Sequence, residues 1–454
     1  MTVLAITPDY ASHALPIITI AGAWQNAGER VVVATGPAVA PLVRHAGMEV
    51  APLSLGRGSN RGIARPDDQP PGEDDNLRAF IAATRSGMVA TLRYQAEARA
   101  SDLLWDPLAN ARRTLEVVEA VRPDTILVDH LAFGATIGLR AAGVPYADIV
   151  LGHPRQHPVA GEMYGVPGAW PRIITVDPGE MTALRMTAQA VARAFTRRFN
   201  AALNTISAGA ATVDDAFAAH GPLVLYNYPQ VLHDPRRTRN LPTAHAFLGA
   251  TLRRDAPPAD VAVWLERDDH RPLVLVSLGT FLSARDDVLS VIVEGLRRAD
   301  VRVALAVGSA DPNVLGLLPA EWLVAPYLPQ VAILERASAL VTHAGNNSVT
   351  EALAFGVPML ALPFSTDQFD GAAAIESAGF GLAADPNTTD AAYVTRAIES
   401  LVANPSAALG SLKRELQARP GPQVARAAVA EWLELPSRPR RPLGRGQVTA
   451  FEAN

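Results

Sequence analysis

The amino-acid sequence predicts an α/β protein made of two Rossmann-like units, each built on a parallel sheet. Three observations support this fold class. Short apolar runs alternate with longer helix-like segments, which is the pattern of βαβ units. The runs form two groups, separated by a stretch that is rich in charge and proline. The 454 residues are also enough for two or three ordinary domains with a cleft between them.

The predicted strands are short apolar runs of the kind that a parallel sheet buries. In the first unit they are Val3–Ile6, Val31–Ala34 and Thr125–Val128, and the helical patterns include Leu15–Ala27 and Leu115–Val121. In the second unit the strand-like runs are Leu273–Ser277, Val301–Val307, Ala339–Thr342 and Met359–Leu362. We therefore expect each unit to contain one parallel sheet covered by helices.

The composition of the chain also predicts its domain boundaries. We expect residues 1–239 to form the first domain and residues 259–421 to form the second. Around residues 240–258 arginine is combined with proline, as in interdomain linkers. Residues 56–76 contain almost nothing apolar and predict a mobile surface loop. Residues 437–454 begin with Arg-Pro repeats and predict a frayed tail.

Composition and charge exclude several classes of function. The chain has no cysteine, which excludes a disulfide framework, a thiolate zinc site, an iron–sulfur cluster and a cysteine nucleophile. Lys and Arg total 40 against 45 Asp and Glu, for a formal charge of -5, which gives no electrostatic case for nucleic acid as a partner. No apolar run is long enough for a membrane span, and Met1–Pro8 lacks the basic region of a signal peptide. We expect a cytoplasmic protein without stable membrane association, as a monomer or a homodimer.

The loop after the first predicted strand contains His13. Ligands of a doubly wound domain bind at the carboxyl ends of the strands. Pro16 can start a helix there, so we expect the imidazole of His13 to point into the crevice and accept a proton. Asp129 ends a later strand of the same sheet, where its carboxylate can orient that imidazole. The alternatives are ordinary packing for His13, a helix N-cap for Asp129, and His130 as a rival histidine.

A second group of polar residues follows the predicted strand Ala339–Thr342. Small residues make a tight turn there, and a helix begins near Asn347. Its free N–H groups and the positive end of its dipole favour an anion such as phosphate, and His343, Asn347 and Ser348 add side-chain donors. Glu351 lies one helical turn beyond Ser348, where a carboxylate can accept hydrogen bonds from a vicinal diol such as ribose. A capped helix without a ligand explains Asn347 and Ser348 but not His343 together with Glu351.

Residues on either side of this helix complete the pattern of a nucleotide-sugar site. Upstream, Tyr327 offers an aromatic face for a base and Gln330 offers an amide for ribose hydroxyls. Downstream, Asp367 and Gln368 are polar groups of the kind that bind a hexose. Taken one at a time, Tyr327 is also explained by core packing, and Asp367 and Gln368 by a solvated loop.

The segment Tyr327–Gln368 resembles the donor-binding signature of GT-B, family 1 glycosyltransferases, which is called the PSPG box in plant enzymes. The His13 loop, the strand that ends at Asp129 and Ser277–Thr280 resemble the same family, so the resemblance covers nearly the whole chain. The chain is most similar to the bacterial branch that glycosylates macrolides, enediynes and other polyketides. This resemblance implies two Rossmann-like domains that face each other across a cleft. It also implies a C-terminal helix, here residues 422–436, that crosses back to the N-terminal domain.

The resemblance assigns a role to each matching residue. His13 would be the general base for the acceptor hydroxyl, and Asp129 its orienting partner. The implied donor-binding residues are Thr280, Tyr327, Gln330, His343, Gly345, Asn346, Asn347, Ser348, Glu351, Asp367 and Gln368. The expected acceptor-binding residues, all in the first domain, are Met88, Trp105, His153, Met163 and Trp170. Two positions depart from the family: Asn346 replaces a Trp or Met, and Tyr327 replaces a Trp.

The implied activity is an inverting transfer of a sugar from a dTDP-deoxysugar or a UDP-glucose type of donor to a hydroxyl of a small-molecule natural product. No Asp-x-Asp sequence occurs, so we expect no metal requirement, and no cofactor besides the nucleotide sugar as co-substrate. Two alternatives stay open: a GT-B enzyme with a lipid-linked acceptor, and a catalytically silent nucleotide-sugar-binding protein. A nicotinamide oxidoreductase is disfavoured because the first loop lacks G-x-G-x-x-G.

Overall fold

The structure is a computed structural model that describes residues 1–63, 72–253, 256–310 and 314–434. Within these ranges the side chains of residues 100, 101, 280 and 281 are outside the description. The predicted tail, residues 437–454, lies outside the described residues. The same is true of residues 254–255 in the predicted linker and of residues 64–71 in the predicted surface loop.

The first sheet has seven parallel strands in the order β3-β2-β1-β4-β5-β6-β7. They are β1 (Thr2–Ile6), β2 (Arg30–Thr35), β3 (Glu49–Pro52), β4 (Thr125–Asp129), β5 (Ala147–Val150), β6 (Leu223–Tyr226) and β7 (His245–Phe247). The helices of this part are α1 (Ala11–Gln25), α2 (Ala40–His45), α3 (Glu73–Arg85), α4 (Met88–Asp102), α5 (Pro107–Val121), α6 (Phe133–Ala141) and α7 (Pro178–Ile206). The strand order changes direction between β1 and β4, where a doubly wound sheet opens its ligand crevice.

The second sheet has six parallel strands in the order β10-β9-β8-β11-β12-β13. They are β8 (Leu273–Ser277), β9 (Arg302–Ala306), β10 (Leu323–Ala325), β11 (Ala339–Thr342), β12 (Met359–Ala361) and β13 (Gly381–Ala383). The helices are α8 (Ala259–Leu265), α9 (Gly279–Leu282), α10 (Asp286–Arg298), α11 (Gln330–Leu334), α12 (Asn346–Phe355), α13 (Gln368–Ser377), α14 (Ala391–Ala403), α15 (Ala407–Ala418) and α16 (Gly421–Glu434). The two parallel sheets confirm the predicted fold class.

Strand β1 shows why the apolar runs have no polar positions. Val3 and Ala5 belong to the hydrophobic cluster on one face of the sheet, and Leu4 and Ile6 belong to the cluster on the other face. All four residues are fully buried. Because helices cover both faces, the consecutive interior positions of the strand, Val3 to Ile6, are all apolar.

Helix α16 returns to the first domain as the resemblance implied. Its residues Ala425, Val429 and Trp432 are buried in the same cluster as Trp24 of α1. Arg426 adds an ion pair to Glu29 at 2.9 Å. The C-terminal helix therefore fastens the second domain to the first.

Two segments are more ordered than the composition predicted. Strand β7 lies inside residues 240–258 and pairs with β6 through Tyr226 and Phe247, so the first sheet extends into the predicted linker. Helix α3 begins at Glu73, inside the predicted loop of residues 56–76. Three acidic residues in its first turn complement the helix dipole and favour that start.

Candidate active site

The adjacent strands β1 and β4 bring His13 and Asp129 together. Ile6 pairs with Val128 in the sheet, so the segments that follow the two strands are neighbours. Nδ1 of His13 lies 2.7 Å from Oδ2 of Asp129, whose side chain is 1% exposed while that of His13 is 24% exposed. Oδ1 of Asp129 accepts the backbone N–H of Leu131 at 2.9 Å. The pair holds the proton on Nδ1 and leaves Nε2 as the proton-accepting nitrogen.

The rival histidine, His130, has no part in this pair. It is buried, and its Nδ1 lies 3.0 Å from Oδ2 of Asp148. Its Nε2 lies 3.0 Å from the backbone oxygen of Phe217. Both ring nitrogens are therefore engaged within the core of the first domain.

His13 stands in the first turn of α1, not in a loop before it. The helix begins at Ala11, so Pro16, the expected helix start, lies inside it. Proline has no N–H and cannot donate to the carbonyl four residues earlier, which is that of Ser12. That carbonyl accepts a hydrogen bond from Nδ2 of Asn347 at 2.8 Å. The helix that carries His13 is thus joined directly to the predicted donor-binding helix of the second domain.

The charge of Asp129 controls the protonation of His13. Burial alone lowers the pKa of His13, but the Asp129 charge and hydrogen bond raise it by more, so the pKa lies above its ordinary value of 6.5. A base must be deprotonated to work, so kcat/KM is expected to fall as the pH is lowered through this raised pKa.

Asp129→Asn is therefore expected to move the acidic limb of the kcat/KM profile to lower pH, because it removes the charge that raises the pKa of His13. The measurement is kcat/KM for the acceptor against pH at saturating donor, for the wild type and this variant. An acidic limb at the same pH in both proteins would contradict a titrating His13–Asp129 pair.

The turn between β11 and α12 leaves the helix terminus open. Ala344 adopts a positive φ of 63°, and Gly345 is the N-cap of α12 without a side-chain capping bond. A Cβ at Gly279 or Gly345 would overlap the imidazole of His343, so only glycine fits at either position. Burial lowers the pKa of His343 to about 4, so this histidine is neutral near pH 7. The terminus offers free backbone N–H groups with a neutral imidazole beside them.

The two predicted ribose-binding residues, Gln330 and Glu351, lie together beside Ser348 of α12. Nε2 of Gln330 donates to Oε2 of Glu351 at 2.6 Å and lies 3.3 Å from Oγ of Ser348. Glu351 is only 4% exposed. Tyr327, in contrast, is 54% exposed, so its ring is not core packing.

Arg253 is a residue of this site that the sequence analysis missed. Its Nη2 lies 3.6 Å from Oε1 of Glu351, and its Nη1 donates to the hydroxyl of Tyr327 at 3.2 Å. Arg253, Tyr327 and Gln330 line a cavity of about 340 Å³, together with Pro258. The only signal in the sequence was the charge of the predicted linker, and that signal gave no reason to place the linker beside Glu351.

Several predicted donor-binding side chains contact the first domain. The Nδ2 group of Asn346 donates to the backbone oxygens of Leu151 at 2.7 Å and Asn227 at 2.8 Å. Oδ2 of Asp367 accepts the N–H of His153 at 2.5 Å. Their donor-binding roles stay predictions, and in this structure these groups hold the two domains together.

Gln368 and Thr280 give no support to direct donor contacts. Oε1 of Gln368 accepts the N–H groups of Phe364 at 2.9 Å and Ser365 at 3.2 Å, so this side chain fixes its own loop. Thr280 lies in α9, but its side chain is outside the described part of the chain. Both assignments stay predictions.

The predicted acceptor-binding residues do not form one surface. Met88 is 8% exposed in a cluster with Phe369, and the ring of Trp170 lies 4.6 Å from that of Phe369. His153 is buried and its ring lies 4.9 Å from that of Tyr228. Met88 packs against α13 and His153 packs against the segment that follows β6, contacts that the sequence pattern does not show. Their acceptor-binding roles stay predictions. Trp105 and Met163 are partly exposed.

The two parallel sheets and the C-terminal helix that returns to the first domain form the GT-B fold. Residues 95–416 match the family described as UDP-glucoronosyl and UDP-glucosyl transferase. The chain belongs to that family.

Curated relatives align over parts of the chain. NDP-glycosyltransferase YjiC of Bacillus licheniformis is 33% identical over 30% of this chain and 35% of its own length. A PGL/p-HBAD biosynthesis glycosyltransferase of Mycobacterium tuberculosis is 27% identical over 59% of this chain and 60% of its own length. The chain thus spans less than two thirds of the length of the curated relatives it matches.

Solved structures match nearly the whole chain. The glycotransferase of kitacinnamycin has a TM-score of 0.69 at 24% identity, over 96% of this chain and 99% of that chain. Spinosyn rhamnosyltransferase SpnG complexed with thymidine diphosphate has a TM-score of 0.61 at 20% identity, over 96% of this chain and 100% of that chain. At these identities the likeness establishes the GT-B fold.

None of the described helices is both long enough and apolar enough to cross a membrane. Nor do three or more His, Asp or Glu side chains in the described ranges stand together as a metal ion would need.

Proposed function

We propose that this protein is an inverting glycosyltransferase that moves a sugar from a nucleoside diphosphate sugar to a hydroxyl of a small-molecule natural product. The observation that carries the proposal is the His13–Asp129 pair at 2.7 Å, on a helix bonded to α12 through Asn347 and Ser12. The proposed base therefore lies on a helix that is bonded directly to the open N-terminus of α12. A protein that only binds nucleotide sugars has no need of this pair.

In the proposed reaction, Nε2 of His13 takes the proton of the acceptor hydroxyl as its oxygen attacks the anomeric carbon. The bond between that carbon and the diphosphate oxygen breaks, and its electron pair leaves with the diphosphate. Asp129 stabilises the imidazolium that forms. A single displacement inverts the configuration, so an α-linked donor gives a β-glycoside.

The proposed donor lies along α12, with the diphosphate at its N-terminus. The free N–H groups and the helix dipole stabilise the leaving charge, so no metal ion is required. Glu351 and Gln330 bind the ribose, and the exposed ring of Tyr327 stacks on a uracil or thymine base. The neutral His343 adds one hydrogen-bond donor to the diphosphate.

The class of acceptor is inferred from the substrates of solved glycosyltransferases that share this fold. One matching structure is a spinosyn rhamnosyltransferase complexed with spinosyn aglycone, and another is a calicheamicin glycosyltransferase. These names support a polyketide or similar natural product as the acceptor of this chain.

The test is a transfer assay with UDP-glucose and dTDP-glucose against a panel of polyketide and phenolic aglycones, in EDTA and then in Mg²⁺. We expect a β-glycoside, identified by the NMR coupling of its anomeric proton, at equal rates in both buffers. An α-linked product would refute the single displacement. Activity only in Mg²⁺ would refute the metal-independent site.

Arg253→Met is expected to weaken binding of the nucleoside diphosphate about tenfold, because it removes a charge-assisted contact at Glu351 and Tyr327. The measurement is the Kd of UDP or dTDP by calorimetry. The control is Arg236→Met, because Arg236 is 88% exposed and pairs with Asp234. Equal affinities in the wild type and both variants would remove Arg253 from the donor site.

A further inference from the structure

Arg99, in the last turn of α4, is a buried cation without hydrogen-bond partners for two of its nitrogens. It is 7% exposed, and its Nε and Nη2 have no partner within the described residues. Its guanidinium lies over the ring of Tyr164, 4.2 Å from the centroid. An arginine cannot discharge by losing its proton, so burying these donors unpaired is costly.

The guanidinium of Arg99 borders a small cavity between the two domains. The first domain contributes Arg99 and Tyr164, and the second contributes Thr366, Asp367 and Asp370. The cavity has a volume of about 20 Å³, which is room for one water-sized group. Arg99 thus shares this space with Asp367, the residue predicted to bind a sugar hydroxyl.

The other charges at the cavity already have partners. Nε of Arg155 lies 3.2 Å from Asp370, and its Nη1 lies 2.6 Å from Glu162. The two oxygens of Asp367 accept hydrogen bonds from Thr366 and from the backbone of His153. Among the charged side chains that line this cavity, Arg99 is therefore the one with buried N–H donors left without a partner.

Gly165 keeps Arg99 in this position. A Cβ on Gly165 would overlap Nη2 of Arg99, and the residue has a positive φ of 76°. On its other face the ring of Tyr164 is stacked on Phe217 at 4.4 Å. The guanidinium is held between a rigid aromatic pair and a close backbone, which is typical of a preorganised ligand contact.

We propose that Arg99 is a substrate-positioning residue that donates hydrogen bonds to an oxygen of the transferred sugar. This inference rests on the proposed function. A guanidinium only donates, so the ligand atom must be an acceptor: a hydroxyl, ether or carbonyl oxygen. Because Arg99 shares the cavity with Asp367, we assign that oxygen to the donor hexose. An oxygen of the aglycone could accept the same hydrogen bonds, and the experiment distinguishes the two.

The experiment measures calorimetric affinities for UDP and dTDP and for their glucose conjugates, in the wild type, Arg99→Met and Arg93→Met. Arg93 is on the same helix but does not line the cavity. We expect Arg99→Met to lower the affinity for the glucose conjugate about 10- to 100-fold and to leave the affinity for the free diphosphate unchanged. If the oxygen belongs to the aglycone, the acceptor KM rises by a similar factor instead.

Donors that lack single hydroxyls identify the oxygen. The wild type binds a 4-deoxy- or 6-deoxyglucose conjugate that lacks the bound oxygen more weakly by the same factor. Arg99→Met does not lower the affinity for that conjugate any further. Equal affinities and equal KM values in all three proteins would overturn the proposal. So would an equal loss of free diphosphate binding in Arg99→Met, because that marks a structural role.

Thermal unfolding separates the two roles further. We expect Arg99→Met to keep or raise the Tm, because it removes two buried N–H donors that have no hydrogen-bond partner. A lowered Tm together with uniformly lowered affinities would assign Arg99 to packing against Tyr164. A wild type that binds neither UDP nor dTDP would refute the proposed function itself, whereas normal wild-type binding with an unaffected Arg99→Met variant refutes this inference alone.

Discussion

His13→Ala is expected to lower kcat by about two to four orders of magnitude and to leave donor affinity nearly unchanged. The variant removes the group that takes the acceptor proton. It spares the contact between the two domains at this point, because Asn347 bonds the backbone carbonyl of Ser12 and not the side chain of His13. Steady-state kinetics give kcat, and calorimetry with UDP or dTDP gives the affinity.

The matched control for this variant is His270→Ala, because the side chain of His270 is 97% exposed. We expect it to have wild-type kinetics. If His13→Ala lost donor affinity as strongly as kcat, the assignment of His13 as the base would fail. An unchanged kcat would have the same consequence.

Glu351→Ala is expected to raise the Kd of the nucleoside diphosphate about 10- to 100-fold, the cost of losing hydrogen bonds to a buried charged acceptor. The carboxylate is 4% exposed and holds Gln330 at 2.6 Å, so its removal also disturbs a proposed ribose partner. The Kd is measured by calorimetry, and the Tm is measured beside it to confirm that the variant is folded.

Glu351→Gln and Glu335→Ala complete that experiment. The amide keeps the size of the side chain but loses its charge, so an intermediate affinity is expected. Glu335 is exposed at the end of α11, and its removal is expected to change nothing. Wild-type affinity in a folded Glu351→Ala variant would contradict the ribose-binding role.

The contact between His13 and Asp129 was predictable because it depends on sheet topology. The carboxyl ends of parallel strands meet at one edge, and β1 and β4 are adjacent in a doubly wound sheet. The sequence pattern places the start of α1 at Leu15, next to Pro16, four residues after its actual start at Ala11. Because Pro16 lies inside α1, the carbonyl of Ser12 receives no helical N–H. Its hydrogen-bond partner, Asn347, belongs to the second domain.

The contacts between domains could not be predicted from local patterns. Asn346, Asp367 and Arg253 each meet atoms far away in the chain, and periodicity or spacing carries no information on how two domains face each other. The role proposed for Arg99 could not be predicted for the same reason, because its burial and its unpartnered donors depend on Tyr164 and on the loop at Asp367. The family resemblance did supply the residues of α12, because their spacing lies within one strand, turn and helix.

The most direct test of the account is calorimetric titration of the purified protein with UDP, dTDP and their glucose conjugates, first in EDTA and then in Mg²⁺, with NAD as the control. The account predicts that one diphosphate nucleotide binds equally well in both buffers and that NAD does not bind. Binding of NAD alone, or of no nucleotide, would contradict the claim that Tyr327–Gln368 forms a nucleotide-sugar site.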